Sequence, residues 1–123
     1  MDPRVRGDDM NEDGMRDDFQ PTVYILASHR NGTLYIGVTS KLLQRLYQHR
    51  AGLIDGFTKD YGVKRLVWFE QGASMEEAIR REKQLKKWQR QWKINLIEQE
   101  NPDWRDLAVD LGLEMLSESR RID

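Results

Sequence analysis

Two runs of β-forming residues, "TVYILAS" from Thr22 and "TLYIGVT" from Thr33, flank the tetrapeptide "HRNG", and this arrangement constrains the fold more than any other stretch. Asn31-Gly32 supplies the positive backbone φ angles that a tight hairpin turn needs, so the runs are expected to pair as antiparallel strands. Side chains alternate along a strand, which puts Val23, Ile25 and Ala27 on one face and Tyr24, Leu26 and Ser28 on the other. In the second run Leu34, Ile36 and Val38 alternate with Tyr35, Gly37 and Thr39. A two-residue loop at 31–32 pairs Ser28 with Tyr35 and Tyr24 with Thr39. Any other even-length loop still leaves Tyr24 and Tyr35 on the same face.

After the hairpin, Thr39 or Ser40 is positioned to cap a helix reaching about Ala51. Its apolar stripe is read as Leu42, Leu43, Leu46 and Tyr47, with Arg45 and His49 together on another face. A glycine-containing loop, "GLIDGFTKDYG", then leads to a third strand in "KRLVWFEQ". Ser74, with Glu77 three residues on, forms a capping box at the start of a long helical pattern that is expected to break near Trp88 to Arg90. Asn101-Pro102 is expected to open a last short helix ending at Gly112. The order is β-β-α-β-α-α-α, an α+β domain with a small three-stranded antiparallel sheet flanked by helices.

Residues 1–20 are expected to be a disordered acidic tail, residues 21–110 the folded domain and residues 111–123 a C-terminal tail. There are no cysteines, which excludes a disulfide framework, a thiolate zinc site and a cysteine nucleophile. No apolar run approaches the length of a membrane span, and a cytoplasmic protein is expected. The net charge of −1 conceals an uneven distribution. Residues 40–93 carry thirteen basic and six acidic side chains, whereas both ends of the chain are acidic. A basic middle of this kind suits a polyanionic partner, although a solvated lysine-rich helix face has the same composition.

One residue breaks the apolar stripe of the long helix. Met75, Ala78, Ile79, Leu85, Trp88 and Trp92 mark the stripe, and Glu82 falls inside it. A carboxylate in a half-buried stripe needs a cation beside it: Arg45, a nearby lysine, or a metal ion. With the two tyrosines, Arg45 and His49, it makes up the set that phosphodiester cleavage requires: a base for water, donors for the phosphate and a carboxylate for a divalent ion.

These residues give the chain a resemblance to the GIY-YIG nuclease family. Tyr35-Ile36-Gly37 reproduces the second signature, and Thr22-Val23-Tyr24 keeps the tyrosine of the first without its leading glycine. Arg45 follows ten residues after Tyr35 with His49 one turn later, and Glu82 in "AIRREKQLKKW" matches the family's metal-binding glutamate. Over roughly residues 21–110 the chain is most similar to small stand-alone bacterial members of the family, which resemble the N-terminal endonuclease domain of the DNA-repair excinuclease.

The resemblance implies a metal-dependent endonuclease acting on DNA, branched or damaged, in repair or recombination, with a protein partner compatible with that role. The alternative is a nucleic-acid-binding module that keeps the fold without turnover; a protein-docking surface built from Trp68, Trp88, Trp92 and Trp104 ranks behind it. The implied roles are water activation by Tyr35 with help from Tyr24, phosphate clamping by Arg45, and orientation of Tyr24 or proton transfer by His49. Glu82 would hold a single Mg²⁺ or Mn²⁺. DNA contacts are expected from Gly37, Ser40, Lys41, Lys59, Lys83, Lys86 and Lys87. The family's late asparagine is matched to Asn101, whose place before Pro102 also suits a helix cap.

Overall fold

The structure, a computed structural model, describes residues 20–52 and 62–113. All but Gln20 of the expected acidic tail, Lys59 and the last ten residues lie outside the described residues. Three strands, β1 (Thr22–Ala27), β2 (Leu34–Thr39) and β3 (Arg65–Gln71), and the helices α1 (Leu42–Arg50), α2 (Met75–Lys87) and α3 (Arg90–Glu100) follow one another in the order β1-β2-α1-β3-α2-α3. The sheet is antiparallel with the order β2-β1-β3, so β1 is central, and all six of its residues are buried.

The sheet has helices on both faces, and strand alternation sorts side chains between two cores. Val23, Ile25, Ala27, Ile36 and Trp68 pack with Ala78 and Leu85 of α2, Ile97 of α3 and Trp104. On the other face Tyr24, Leu26 and Leu66 pack with Leu46 of α1, Val63 and Ala108.

The hairpin register differs from the expected one. Tyr24 lies opposite Gly37, and Leu26 opposite Tyr35. The turn is longer because Ser28 closes it against Thr33: the Ser28 N–H donates to the Thr33 carbonyl, and the Thr33 N–H donates to Ser28 Oγ. Gly32 N–H bonds back to the His29 carbonyl, and Asn31 takes the left-handed φ of 60°. The shift is by an even number of residues, so both tyrosines remain on one face, as expected.

Ser74 Oγ accepts from the Glu77 N–H and caps α2. The helical pattern does break at Trp88 and Gln89, both with extended backbone. At α1 the expected cap is absent. Lys41 occupies the N-cap position without a side-chain cap bond, and Thr39 Oγ1 accepts the Lys41 N–H instead, forming a local turn before the helix.

The short helix expected after Asn101-Pro102 is replaced by successive turns, because its backbone is engaged by β3. Asn101 Nδ2 donates to the Val67 carbonyl and to the Arg105 carbonyl, while Asn101 Oδ1 accepts the Arg105 N–H. Val67 is the residue that β3 bulges out between its pairings to Ile25 and Leu26. Leu107 N–H donates to the Leu66 carbonyl, and Asp106 Oδ1 accepts the Leu66 N–H, so this segment covers the outer edge of β3. Asn101 is thereby a buried latch between β3 and these turns, not the cap of a further helix.

Candidate active site

Tyr24, Tyr35 and His49 converge into one aromatic cluster. Ring centroids are 6.3 Å apart between the tyrosines, 6.1 Å between Tyr24 and His49, and 5.5 Å between Tyr35 and His49. Both strands of the hairpin contribute because Tyr24 and Tyr35 share a face, and α1 adds His49.

Gly37 explains how Tyr24 fits. A Cβ at that position would lie 2.6 Å from both Cζ and Oη of Tyr24 and 3.0 Å from Cε2 of Tyr35. The phenol therefore lies across the backbone of β2, and only glycine leaves room for it. Gly37 was expected among the DNA contacts; it is buried beneath Tyr24. Gly37→Ala is expected to cost about 1–3 kcal/mol of stability, as overpacking of a core does, and to displace the Tyr24 hydroxyl. Urea unfolding of the variant measures the first effect and a DNA-cleavage assay the second.

His49 is buried, although the apolar stripe of α1 was expected on Leu43 and Tyr47 and not on its face, and Leu43 and Tyr47 are exposed, Tyr47 to 59%. The inward stripe of α1 is Leu42, Arg45, Leu46 and His49, a helical repeat that apolarity alone assigned to the wrong residues. Tyr24 Oη and His49 Nε2 are 3.2 Å apart. Depending on the tautomer, the phenol donates to Nε2 or accepts from it, and either bond fixes the Tyr24 ring.

The local electrostatics separate the roles of these groups. Burial, reinforced by the neighbouring Tyr35, pushes the Tyr24 phenol well above the usual range, so Tyr24 remains protonated near neutral pH. Arg45 opposes that shift and Glu82 adds to it. The charges of α1 and α2, on opposite faces of the sheet, thus both act on the phenol that crosses the β2 edge. Burial, with the nearby Arg45 charge, lowers His49 to about 4, so it is neutral at pH 7.

The sign of the resulting pH dependence is fixed. Below about 6.5 the unfolded chain takes up a proton that the folded His49 refuses, so stability falls as pH drops from about 6.5 towards about 4. His49→Gln removes this component, and its urea midpoint is expected to fall less over that window than that of the unaltered protein.

Glu82 is largely buried, its side chain 14% exposed, and it has a lysine partner as one of the expected alternatives: Lys86 Nζ is 2.9 Å from Oε2. Among the described residues no group of three or more His, Cys, Asp or Glu side chains is arranged to hold a metal ion. One carboxylate fits a Mg²⁺ or Mn²⁺ that completes its shell with phosphate oxygens and water, and does not fit an all-protein cage. Lys83, Lys86 and Lys87 are exposed along α2, while Ser40 and Lys41 are half-buried before α1. Of the four tryptophans, Trp68 and Trp104 are core residues and Trp92 is exposed, so they do not form one docking surface.

Sequence reasoning missed the buried ion pair beside the site. Arg50, next to His49, donates from Nη2 to Asp106 Oδ1 at 2.6 Å and to the Lys64 carbonyl at 3.2 Å. It also missed Arg90, whose Nη2 donates to the carbonyls of Asn31 and Gly32 and ties the start of α3 to the hairpin turn. Neither arginine has a local sequence signal, because the Asp106 carboxylate and the hairpin turn lie more than fifty residues away along the chain.

Residues 20–95 match the model of the GIY-YIG catalytic domain. The chain is 38% identical over 77 residues to a UPF0213 protein of Staphylococcus haemolyticus, covering 63% of this chain and 93% of the relative. It is also 38% identical over 82 residues to a UPF0213 protein of Syntrophus aciditrophicus, covering 66% and 92%. The solution NMR structure of a UPF0213 protein of Bacillus halodurans aligns with 77% of this chain and 99% of that one, at 28% identity and a TM-score of 0.46. The matched span contains the whole sheet and the helices that carry His49 and Glu82, and the chain belongs to the GIY-YIG family of nucleases.

Proposed function

We propose that the protein is a divalent-metal-dependent endonuclease that hydrolyses DNA phosphodiester bonds, with repair or recombination intermediates as its substrates. The observation that carries the reading is the Tyr24–Tyr35–His49 cluster, with the charges of Arg45 and Glu82 bearing on it. Tyr35, less buried than Tyr24, is the group water can reach, and its oxygen accepts the proton of the attacking water as its own hydroxyl proton passes to solvent. Tyr24, held by His49 and kept protonated, orients that water or the phosphate through its hydroxyl.

Arg45 binds the scissile phosphate and offsets the charge that grows on it during attack. Glu82 would hold Mg²⁺ or Mn²⁺, which when bound polarises a phosphate oxygen and stabilises the leaving group. The exposed lysines of α2, with Lys41 and Lys59, supply sequence-independent attraction to the DNA backbone.

The test compares the unaltered protein with Arg45→Ala and Glu82→Ala on supercoiled, single-stranded and branched DNA. Each variant is expected to lose cleavage by about 10²–10³-fold, the usual loss when a group stabilising transition-state charge is removed. Full activity in either variant would remove that residue from the mechanism. Salt-dependent DNA binding without cleavage on any substrate would replace this reading with that of a binding module.

A further inference from the structure

Withdrawing a carboxylate from water is costly unless a cation pairs with it, and in the free protein Lys86 is that cation for Glu82, its Nζ 2.9 Å from Oε2. A glutamate four residues before a lysine is the favoured orientation of such a pair on a helix. The two partners differ in their freedom. The Glu82 side chain is 14% exposed, whereas that of Lys86 is 53% exposed and has a flexible stem that reaches other anions. Lys83 and Lys87 are exposed on the same helix but stand one and five residues from Glu82, at angles that face away from it.

We propose that Lys86 is the resident counter-ion of Glu82 and competes with the divalent cation for that carboxylate, so that metal loading is coupled to the arrival of a DNA phosphate that takes Lys86. This rests on the reading of Glu82 as the metal-binding carboxylate. The coupling is reciprocal: whatever draws the ammonium off Glu82 strengthens metal binding, and the metal in turn frees Lys86 for phosphate. Lys86 is thereby a positioning residue acting through Glu82.

The experiment is a calorimetric Mn²⁺ titration of the full chain without DNA. Lys86→Met is expected to bind Mn²⁺ about twofold more tightly than the unaltered protein, the equivalent of one ion pair of this kind. Lys86→Arg restores the original affinity, Lys83→Met leaves it unchanged, and Glu82→Gln abolishes binding. In a Tyr35→Phe background, Mn²⁺ over EDTA is expected to raise affinity for a duplex oligonucleotide, and Lys86→Met reduces that gain to what the metal's own phosphate contact supplies.

Equal affinity in Lys86→Met and the unaltered protein, with Glu82→Gln still abolishing binding, would overturn the competition alone. An equal gain in Lys83→Met would reduce it to general charge and overturn it as well. Unchanged binding in Glu82→Gln would remove Glu82 as the metal residue and the competition with it. The titration needs no turnover, so the expected pattern in a protein that never cuts DNA upholds the competition while overturning the endonuclease reading.

Discussion

Tyr35→Phe is expected to lower DNA cleavage by about 10²–10⁴-fold, the contribution typical of a positioned general base, while leaving the fold and DNA affinity intact. The substitution removes one hydroxyl from a half-buried ring and keeps its packing against Tyr24 and His49. The same loss is not expected to mean the same thing at Tyr24. Burial holds the Tyr24 proton, and Gly37 and His49 fix the ring, so the role proposed for Tyr24 is that of an oriented hydroxyl and not of a base. Single-turnover cleavage measured alongside fluorescence anisotropy with labelled DNA separates chemistry from binding. A Tyr35→Phe protein that cuts normally, beside an inactive Tyr24→Phe protein, would exchange the two roles.

The largest effect on stability is expected at Asp106. Its side chain is 9% exposed and that of Arg50 12%, so the ion pair between them is mostly withdrawn from water. Asp106 Oδ1 also accepts the N–H groups of Leu66 and Ala108, anchoring the C-terminal turns to the edge of β3. Asp106→Ala leaves the Arg50 guanidinium without this carboxylate and two backbone donors without their acceptor. Removing one partner of a buried pair costs about 3–5 kcal/mol. For a domain of this size that corresponds to a fall in Tm of more than about 10 °C. Asp106→Asn keeps an oxygen acceptor and is expected to lose less. Thermal and urea unfolding measure both, and a loss below about 1 kcal/mol for Asp106→Ala would show that the pair contributes little beyond a surface contact.

The parts legible in the sequence were those fixed by parity and local period. The faces of Tyr24 and Tyr35 survive a register error because strand alternation depends only on whether the shift is even. Glu82 stood out because a charge inside an apolar stripe demands a partner, and Lys86 one turn away is that partner. Apolarity points to the wrong inward face of α1 because this helix turns the polar side chains of Arg45 and His49 towards the sheet, so Leu43 and Tyr47 attracted an assignment that belonged to them. The turns after Asn101 were read as a helix because Asn-Pro resembles a helix start. Their conformation depends on β3, whose bulge at Val67 and edge at Leu66 bind Asn101, Asp106 and Leu107. Arg50 and Asp106 lie far apart in the chain, and nothing local joins them.

The central claim is that the tyrosine–histidine cluster and Glu82 form a metal-dependent phosphodiester-cleaving site. The most direct measurement is nicking of supercoiled plasmid by the purified protein in Mg²⁺, in Mn²⁺ and in EDTA, with Glu82→Ala run in parallel. Conversion to open circles is expected in at least one of the metals, with none in EDTA and none with Glu82→Ala. Nicking that persists in EDTA, or equally in Glu82→Ala, would contradict the claim.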